Sequence, residues 1–297
     1  MNPKRMYLSI WIGIVMSTSQ SGCSVFPKQE LADGTQVRRA VAVESDPQPQ
    51  STVGGIINPN STLPQVPPPG VRVRYTQVQT NEMAVAMTFD DGPHATFTPR
   101  LLDILKERNI KATFYVVGKC AKAYPHIIRR ILAEGHEIGN HTWDHKALSS
   151  LSDEQVRKEL KMTEDAVLEA SGYRMRSMRP PYGATNLRLN QMWFKEFGYP
   201  TMIWSVDPLD WKNRNSATVT SRIVSNVHKG AIILAHDIHG TTVNAMPSTL
   251  DQILAKGYRF LTVGQLLNLE KSSMPVGVVV PPTVDPTEMP AKTRRSS

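Results

Sequence analysis

The stretch MAVAMTFDDGP, residues 83–93, decides the fold because it carries two signals at once. Its apolar first half is typical of a strand that is buried on both faces in a parallel sheet. Two neighbouring carboxylates, Asp90 and Asp91, follow directly, and Gly92-Pro93 then turns the chain. Successive side chains of a strand point to opposite faces, so we expect the two acids to have different surroundings.

Outward from this stretch, short apolar runs alternate with amphipathic helical patterns between residues 82 and 270. We expect strands at 83–89, 112–117, 136–139, 176–178, 201–206, 231–236 and 258–263, separated by helices. Ser152 and Gln155 form a capping-box pattern at the start of one helix, and Thr98-Pro99 is predicted to cap and open another. About seven strand–helix units in roughly 190 residues favour a distorted (β/α) barrel of parallel strands, with a flat doubly wound sheet as the alternative.

Both flanks of this segment have a different composition. Residues 24–81 and 271–297 are rich in proline and show no hydrophobic period, so we expect a disordered linker and a disordered tail. Residues 1–23 have the layout of a secretory signal, with Lys4 and Arg5 before a short apolar run. The sequence therefore predicts a catalytic domain at 82–270 in an exported protein.

The signal ends in Ser21-Gly22-Cys23, which resembles the end of a bacterial lipobox, where the cysteine is lipidated after cleavage. Gln20 departs from that pattern, which prefers an apolar residue, and a plain signal peptide is the alternative. Lipidation of Cys23 would leave Cys120 without a disulfide partner in the chain. We expect an envelope lipoprotein, in the periplasm or at the cell surface, that is held to a membrane by its lipid.

The charge of the chain is positive but dispersed. A net charge of +8 and a pI near 9.5 suggest attraction to anionic surfaces such as a cell wall or a membrane. No long Lys/Arg run and no nucleic-acid-binding motif accompany this charge, so we expect no nucleic-acid partner. We also expect a monomer.

Titratable side chains follow five of the predicted strands, at the edge where catalytic groups of α/β barrels lie. They are Asp90 and Asp91, His141 and His145, Arg179 with Tyr182, Asp207 and Asp210 with Trp211, and His236. On a helical turn, His141 and His145 would lie one above the other and could bind one metal. An aspartate would supply the third ligand of a catalytic zinc site and leave positions open for water and substrate.

Each of these features also has a simpler interpretation when it is taken alone. The histidine pair could lie on a solvated face, and Asp90-Asp91 could form a turn with an Asx hydrogen bond. His236 could be a core histidine, and Arg179 could be an ion-pair partner of an acid. Their collection at the ends of successive strands favours a functional site.

Five motifs in this order make the sequence similar to a known family. TFDDGP, HTWDH, RPPYG, DPLDW and LAH, at 88–93, 141–145, 179–183, 207–211 and 234–236, resemble those of NodB-type polysaccharide deacetylases, carbohydrate esterase family 4. The resemblance covers residues 82–270. It implies the distorted barrel and a hydrolase that uses a divalent metal, usually Zn²⁺, to cleave an acetyl amide.

The resemblance also implies a role for individual residues. Asp91, His141 and His145 would bind the metal, and Asp90, oriented by Arg179, would be the catalytic base. His236 would be the general acid, tuned by Asp210 in preference to Asp207. The acetyl pocket would be lined by Pro181, Tyr182, Trp211 and Leu234, and the Tyr182 N–H would serve in the oxyanion hole.

The expected substrate is peptidoglycan, deacetylated at N-acetylglucosamine. Tyr182 stands where relatives that act on N-acetylmuramic acid more often carry Arg, and the predicted export places the enzyme beside peptidoglycan. Chitin or chito-oligosaccharides and acetylxylan are the alternative substrates. A non-catalytic glycan-binding lipoprotein is the alternative from another class, but such modules usually lack a ligand or the base.

Overall fold

The computed structural model describes residues 72–272. The predicted signal peptide with Cys23, the linker up to residue 71 and the tail from residue 273 lie outside the described residues. The strands are β1 Arg74–Tyr75, β2 Ala84–Asp90, β3 Thr113–Val116, β4 Glu137–Asn140, β5 Thr201–Met202, β6 Ile232–His236 and β7 Arg259–Phe260. The α-helices are α1 Phe97–Glu107, α2 Gly118–Ala123, α3 Pro125–Ala133, α4 Asp153–Ser171, α5 Leu187–Phe197, α6 Asp210–Asn213, α7 Ser216–Asn226, α8 Gly240–Ala255 and α9 Val263–Ser272.

A ring of parallel strands lies at the centre of the described residues. β2 pairs with β3 on one side and with β6 on the other, and β3 pairs with β4. Beyond β4, single bridges continue the ring: Asn140 pairs with Met178, and Met178 pairs with Thr201 of β5. The ring closes where Val206, which follows β5, pairs with Ile233 of β6. Within residues 72–272, β1 pairs with β5, and β7 pairs with the start of β2. The distorted (β/α) barrel is confirmed, and short strands and single bridges make it irregular.

β2 is buried at every residue, which explains why its sequence is apolar without alternation. Met87 and Phe89 pack in the large cluster that includes the helices, whereas Ala84 and Ala86 pack in a smaller cluster with Tyr115 of β3. Asp90 continues the second of these two faces, because it follows Ala86 at a period of two.

Several of the predicted strands are shorter than expected, and the strand predicted at 258–263 pairs only at Arg259–Phe260 because α9 begins at Val263. The predicted strand at 176–178 is reduced to the bridges of Met178, because Pro180 and Pro181 that follow have no N–H to continue a ladder. The predicted strand at 201–206 pairs as a strand only at Thr201–Met202 and returns to β6 at Val206.

Residues 72–81, which the sequence pattern assigned to the linker, contact the barrel. Val78 is buried in the smaller cluster, and its N–H donates to the Gly230 carbonyl at 2.9 Å. A Cβ on Gly230, whose φ is +73°, would lie 1.9 Å from the Val78 oxygen, so this approach requires glycine. The barrel's contacts therefore begin before residue 82.

The predicted helix starts were partly right. The capping box of α4 is confirmed: the Ser152 side chain accepts from the Gln155 N–H, and the Gln155 side chain accepts from the Ser152 N–H. The expected cap at Thr98 is wrong, because α1 begins at Phe97 and the Thr98 hydroxyl is buried against another strand end. Within residues 72–272, no helix has the length and apolar character that crossing a membrane requires.

Candidate active site

Three side chains meet at the carboxyl ends of β2 and β4. Asp91 Oδ1 lies 3.3 Å from His141 Nε2 and 3.1 Å from His145 Nε2. The three ligand atoms all lie within 4.8 Å of one another, close enough to bind a single ion. We call Asp91, His141 and His145 the Asp–His–His cluster.

The path of the backbone between the two histidines differs from the expected helical turn. Residues 141–147 are not helical, and Thr142 and His145 have left-handed φ values of 68° and 55°. The Asn140 side chain accepts from the Thr142 N–H at 2.8 Å and so supports this loop. Asp91 itself has a φ of 76°, which turns it away from the line of β2. Non-glycine residues in this region are concentrated at functional sites.

The hydrogen bonds of the cluster fit a metal. His141 Nδ1 lies 2.7 Å from the Arg179 carbonyl, which can only accept, so this nitrogen carries the proton. In the tautomer that is protonated only at Nδ1, the ring would present the Nε2 lone pair to Asp91, whose Oδ1 is buried and has no hydrogen-bond partner among residues 72–272 by distance and angle. Two lone pairs that face each other in a buried site are stabilised by a cation between them. A hydrogen bond from Nδ1 to a backbone carbonyl, as His141 makes to Arg179, is typical of a metal-binding histidine.

Asp90 lies beside the cluster but is held by a different partner. Arg179 is fully buried, and its NH1 donates to Asp90 Oδ1 and to Thr88 Oγ1, each at 2.7 Å. Its Nε donates to the Met202 carbonyl and its NH2 to the Ile203 carbonyl. The guanidinium is thus fixed on three sides, and it fixes one oxygen of Asp90.

The free oxygen of Asp90 is directed towards the cluster. Its Oδ2 lies 3.8 Å from His141 Nε2, farther than either Asp91 contact. The two neighbouring acids therefore have separate surroundings: Asp91 faces two imidazoles, and Asp90 lies between a guanidinium and the cluster.

His236, at the end of β6, is paired with Asp210 at the start of α6. Asp210 Oδ1 lies 2.8 Å from His236 Nδ1, and its Oδ2 accepts from the His236 N–H and from the Thr242 hydroxyl. Asp207 instead accepts the N–H of Leu209 at 2.7 Å. The structure thus brings Asp210, and not Asp207, to the histidine.

The Asp210–His236 pair changes both pKa values. Burial alone would lower the pKa of His236, but the hydrogen bond and charge of Asp210 outweigh it and raise the pKa to about 9. Burial alone would raise the pKa of Asp210, but His236 and Thr242 hold it below its usual value. The histidine is therefore protonated, and the aspartate is ionised, at neutral pH.

The expected pocket residues fall into two groups. Tyr182 and Trp211 are exposed, at 70% and 51%, whereas Pro181 and Leu234 are buried. The Tyr182 ring lies 4.8 Å from the His145 ring, and Tyr182 has a left-handed φ of 61°. Trp211 follows Asp210 directly, and its N–H donates to that carboxylate. An exposed aromatic ring thus borders the cluster, and the backbone of Trp211 borders the Asp210–His236 pair.

Other residues at these strand ends were missed by the sequence analysis. Asp237 is fully buried, and burial raises its pKa to about 7. Its place directly after His236, in LAHDIH, was a visible signal. Thr88 accepts a hydrogen bond from Arg179, and the Tyr115 ring lies 4.3 Å from the guanidinium carbon. Nothing in the sequence indicates these two contacts, because threonine and tyrosine are ordinary residues of a strand.

The chain is similar to known proteins in sequence and in fold. A family model described as polysaccharide deacetylase matches residues 77–201. The peptidoglycan-N-acetylglucosamine deacetylase PgdA of Listeria monocytogenes is 41% identical over 199 residues, which are 67% of this chain and 42% of that protein. A peptidoglycan-N-acetylglucosamine deacetylase of Bacillus cereus is 38% identical over 196 residues, which are 64% of this chain and 70% of that protein.

A solved structure is similar in fold. Peptidoglycan deacetylase PdaC from Bacillus subtilis matches with a TM-score of 0.61 and 38% identity, over 66% of this chain and 95% of that chain. PdaC is named as a peptidoglycan-N-acetylmuramic acid deacetylase, so relatives of similar identity are named for different sugars.

Proposed function

We propose that this chain, which belongs to the polysaccharide deacetylase family, hydrolyses N-acetyl groups of N-acetylglucosamine units in a polysaccharide and releases acetate. The observation that carries the proposal is the separation of the two neighbouring acids. Asp91 faces His141 and His145, whereas Asp90 is held by Arg179 with one oxygen free. A site that only bound a glycan would need neither a cation position nor a buried base beside it.

The Asp–His–His cluster would hold the metal, and we propose Zn²⁺. Two histidines and one carboxylate are the ligands of many catalytic zinc sites. When bound, zinc would polarise the acetyl carbonyl and make the attacking water easier to deprotonate.

The chain's own residues would move the protons. Asp90 would take a proton from water at Oδ2, because Arg179 occupies its Oδ1. His236 would give a proton to the leaving nitrogen from Nε2, because Nδ1 is engaged by Asp210. The amide bond breaks, the carbonyl carbon gains the water oxygen, and the products are acetate and an amine on the sugar. The Tyr182 N–H is proposed as a donor to the oxygen that becomes charged.

We propose peptidoglycan as the glycan. Two relatives are named as peptidoglycan-N-acetylglucosamine deacetylases, and Tyr182 supports the same sugar by its place in the RPPYG motif. The proposed location supports it too: export by the N-terminal signal and lipidation at Cys23 would hold a monomer in the envelope beside its substrate. Mass spectrometry of the N-terminal peptide tests the lipid, which a Cys23→Ala variant should lack.

The experiment that tests the function is a comparison of acetate release from three substrates. Peptidoglycan, chitopentaose and acetylxylan are incubated in parallel with the zinc-loaded full chain, and with an Asp90→Asn variant as the matched control. We expect release from peptidoglycan at the highest kcat/KM, with loss of release in the variant. Acetate release only from chitopentaose or acetylxylan would overturn the proposal that peptidoglycan is the substrate. No acetate release from any of the three would overturn the proposed reaction.

A further inference from the structure

One buried carboxylate at the active-site edge has no part in the proposed chemistry. β2 and β6 are paired in register up to Asp90 and His236, so the residues that follow the two strands lie side by side. Asp237 is fully buried there. A Cβ built on Gly92 would lie only 2.3 Å from Asp237 Oδ2, so this carboxylate rests directly on the glycine that follows Asp91.

The same carboxylate is tied to the start of α1. Thr98, which is fully buried, donates its hydroxyl proton to Asp237 Oδ2 at 2.5 Å, and its oxygen accepts the His94 N–H at 2.7 Å. The His94 ring in turn accepts the N–H groups of Thr96 and Phe97 through Nδ1. Asp237 is therefore one end of a chain of hydrogen bonds that closes the turn 91–94.

This turn has a reason to need support. Asp91 adopts a left-handed φ of 76°, and such conformations persist only where the surroundings hold them. A buried carboxylate is costly, so Asp237 is expected to have a use that offsets this cost. Groups that hydrogen-bond to metal ligands orient those ligands and tune the affinity for the metal. Asp237 acts one step further away, through its contacts with Gly92 and Thr98.

We propose that Asp237 is a positioning residue for the metal ligand Asp91. Its carboxylate fills the space over Gly92 and, through Thr98, fixes His94, so that the turn presents Asp91 to His141 and His145. The role is one of position rather than charge, because the contacts to Gly92 and Thr98 use the size and the acceptor oxygens of the side chain. The inference rests on the metal site of the proposed function.

The test measures zinc affinity of the full chain, after metal removal, by calorimetric titration well below the unfolding temperature. Asp237→Ala and Thr98→Val are expected to weaken binding by about 10–100-fold, the usual effect of losing a group behind a ligand. Asp237→Asn keeps the size and an acceptor oxygen for Thr98, and is expected to remain within about threefold of the parent. Thr98→Val keeps the packing, which makes it informative even if Asp237→Ala does not fold.

Thr249→Val is the matched control for a stability effect. Thr249 is also a fully buried threonine with a hydroxyl bonded inside the fold, to the Ala245 carbonyl, but it lies in α8 and outside this chain of hydrogen bonds. Its substitution is expected to lower the free energy of unfolding of the metal-free protein without changing zinc affinity. Urea unfolding of every metal-free variant provides the comparison.

The outcomes separate the inference from the function on which it rests. A parent chain that binds no zinc would overturn both. A parent that binds zinc, with Asp237→Ala and Thr98→Val at parental affinity, would overturn the positioning role alone. Zinc binding by Asp237→Asn that is as weak as that of Asp237→Ala would also overturn the positioning role, because the charge of Asp237 rather than its position would then determine zinc affinity.

Discussion

At the scale of single residues, the surroundings of Asp90 and Asp91 differ because β2 ends between them. Asp90 is the last residue of the strand and continues the face of Ala84 and Ala86 towards Arg179. Asp91 leaves the strand in a left-handed conformation and reaches the two histidines. A carboxylate that contacts two imidazole nitrogens suits a cation, and one held by a guanidinium at a single oxygen suits proton transfer.

This difference predicts opposite effects of substituting neighbouring residues. Asp91→Ala is expected to lose zinc and, with it, all acetate release. Asp90→Asn is expected to keep zinc but to lower kcat at least about 100-fold, because a positioned base typically contributes a factor of 10²–10⁴. Metal content of the purified proteins and acetate release check the two effects. An Asp90→Asn variant with parental turnover would show that Asp90 is not the base.

The Asp210–His236 pair predicts a change in pH dependence. The proposed general acid, His236, must be protonated to act, and its raised pKa keeps it protonated until the pH passes about 9, so activity is expected to fall above that pH. Asp210→Asn removes the charge that raises this pKa while burial still lowers it. The alkaline limb of the rate profile is therefore expected to move down by roughly 1–3 pH units.

A pH–rate profile with zinc-saturated parent and variant checks this shift. Both proteins carry the same metal, so the difference between the two profiles isolates the effect of Asp210. Asp207→Asn is the matched control, because Asp207 bonds to the Leu209 N–H rather than to the histidine. If the alkaline limb of the Asp210→Asn variant lies at the same pH as that of the parent, His236 is not the group whose titration sets that limb.

At the scale of elements, α4 shows how far local sequence determines structure. Its capping box at Ser152 and Gln155 and its left-handed end at Gly172 are local features, and the helix occupies the span between them. The loop at 141–147 is the contrary case. A spacing of four residues between His141 and His145 suits a helical turn, but left-handed residues bring the same side chains together.

Removing the cap of α4 should cost stability without touching the site. Ser152→Ala is expected to lower the free energy of unfolding by about 1 kcal/mol, since the N–H of Gln155 loses its acceptor. Urea unfolding measures the change. Ser225→Ala, at an exposed position in α7, is the control, and it should leave stability unchanged or slightly raise it. Equal losses in the two variants would contradict a capping effect.

At the scale of the whole described chain, the ring closes through few contacts. Between β4 and β6 it depends on the bridges of Met178 and Val206, and β1 supports it by pairing with β5. Val78 adds a buried side chain and a hydrogen bond to Gly230. The segment before β2 therefore belongs to the fold energetically, although its composition resembles a linker.

Truncation checks this contribution. A chain that begins at residue 82 is expected to be less stable than one that begins at residue 72, by at least about 2 kcal/mol, the usual value of one fully buried valine. Urea unfolding of the two proteins measures the difference. Val78→Ser in the longer chain is expected to account for much of it, and equal stability of the two chains would show that the segment contributes nothing.

The sequence by itself determined the alternation of strands and helices, the parallel sheet and the chemical character of the strand ends, since period, capping and residue type are local properties. It also placed a set of titratable residues at one edge, because the carboxyl ends of parallel strands meet there: Asp90, Asp91, His141, His145, Arg179, Asp207, Asp210 and His236. Which of them bind a metal was implied only by the resemblance of the motifs to those of a family.

The family resemblance implied Arg179 as the partner of Asp90 and Asp210 as the partner of His236, but only the tertiary structure shows their atoms in contact, and it alone revealed the pairing of Thr98 with Asp237. Arg179 reaches Asp90 across 89 positions of sequence, Asp210 rather than Asp207 reaches His236, and Thr98 reaches Asp237 across 139 positions. These pairings depend on strand register and on a few residues with a left-handed backbone conformation. Together they position the paired atoms within hydrogen-bond distance. Residue spacing constrains such positions only through the packing of the whole barrel, so hydrophobic period and residue type alone, without the motif resemblance, could not have predicted them.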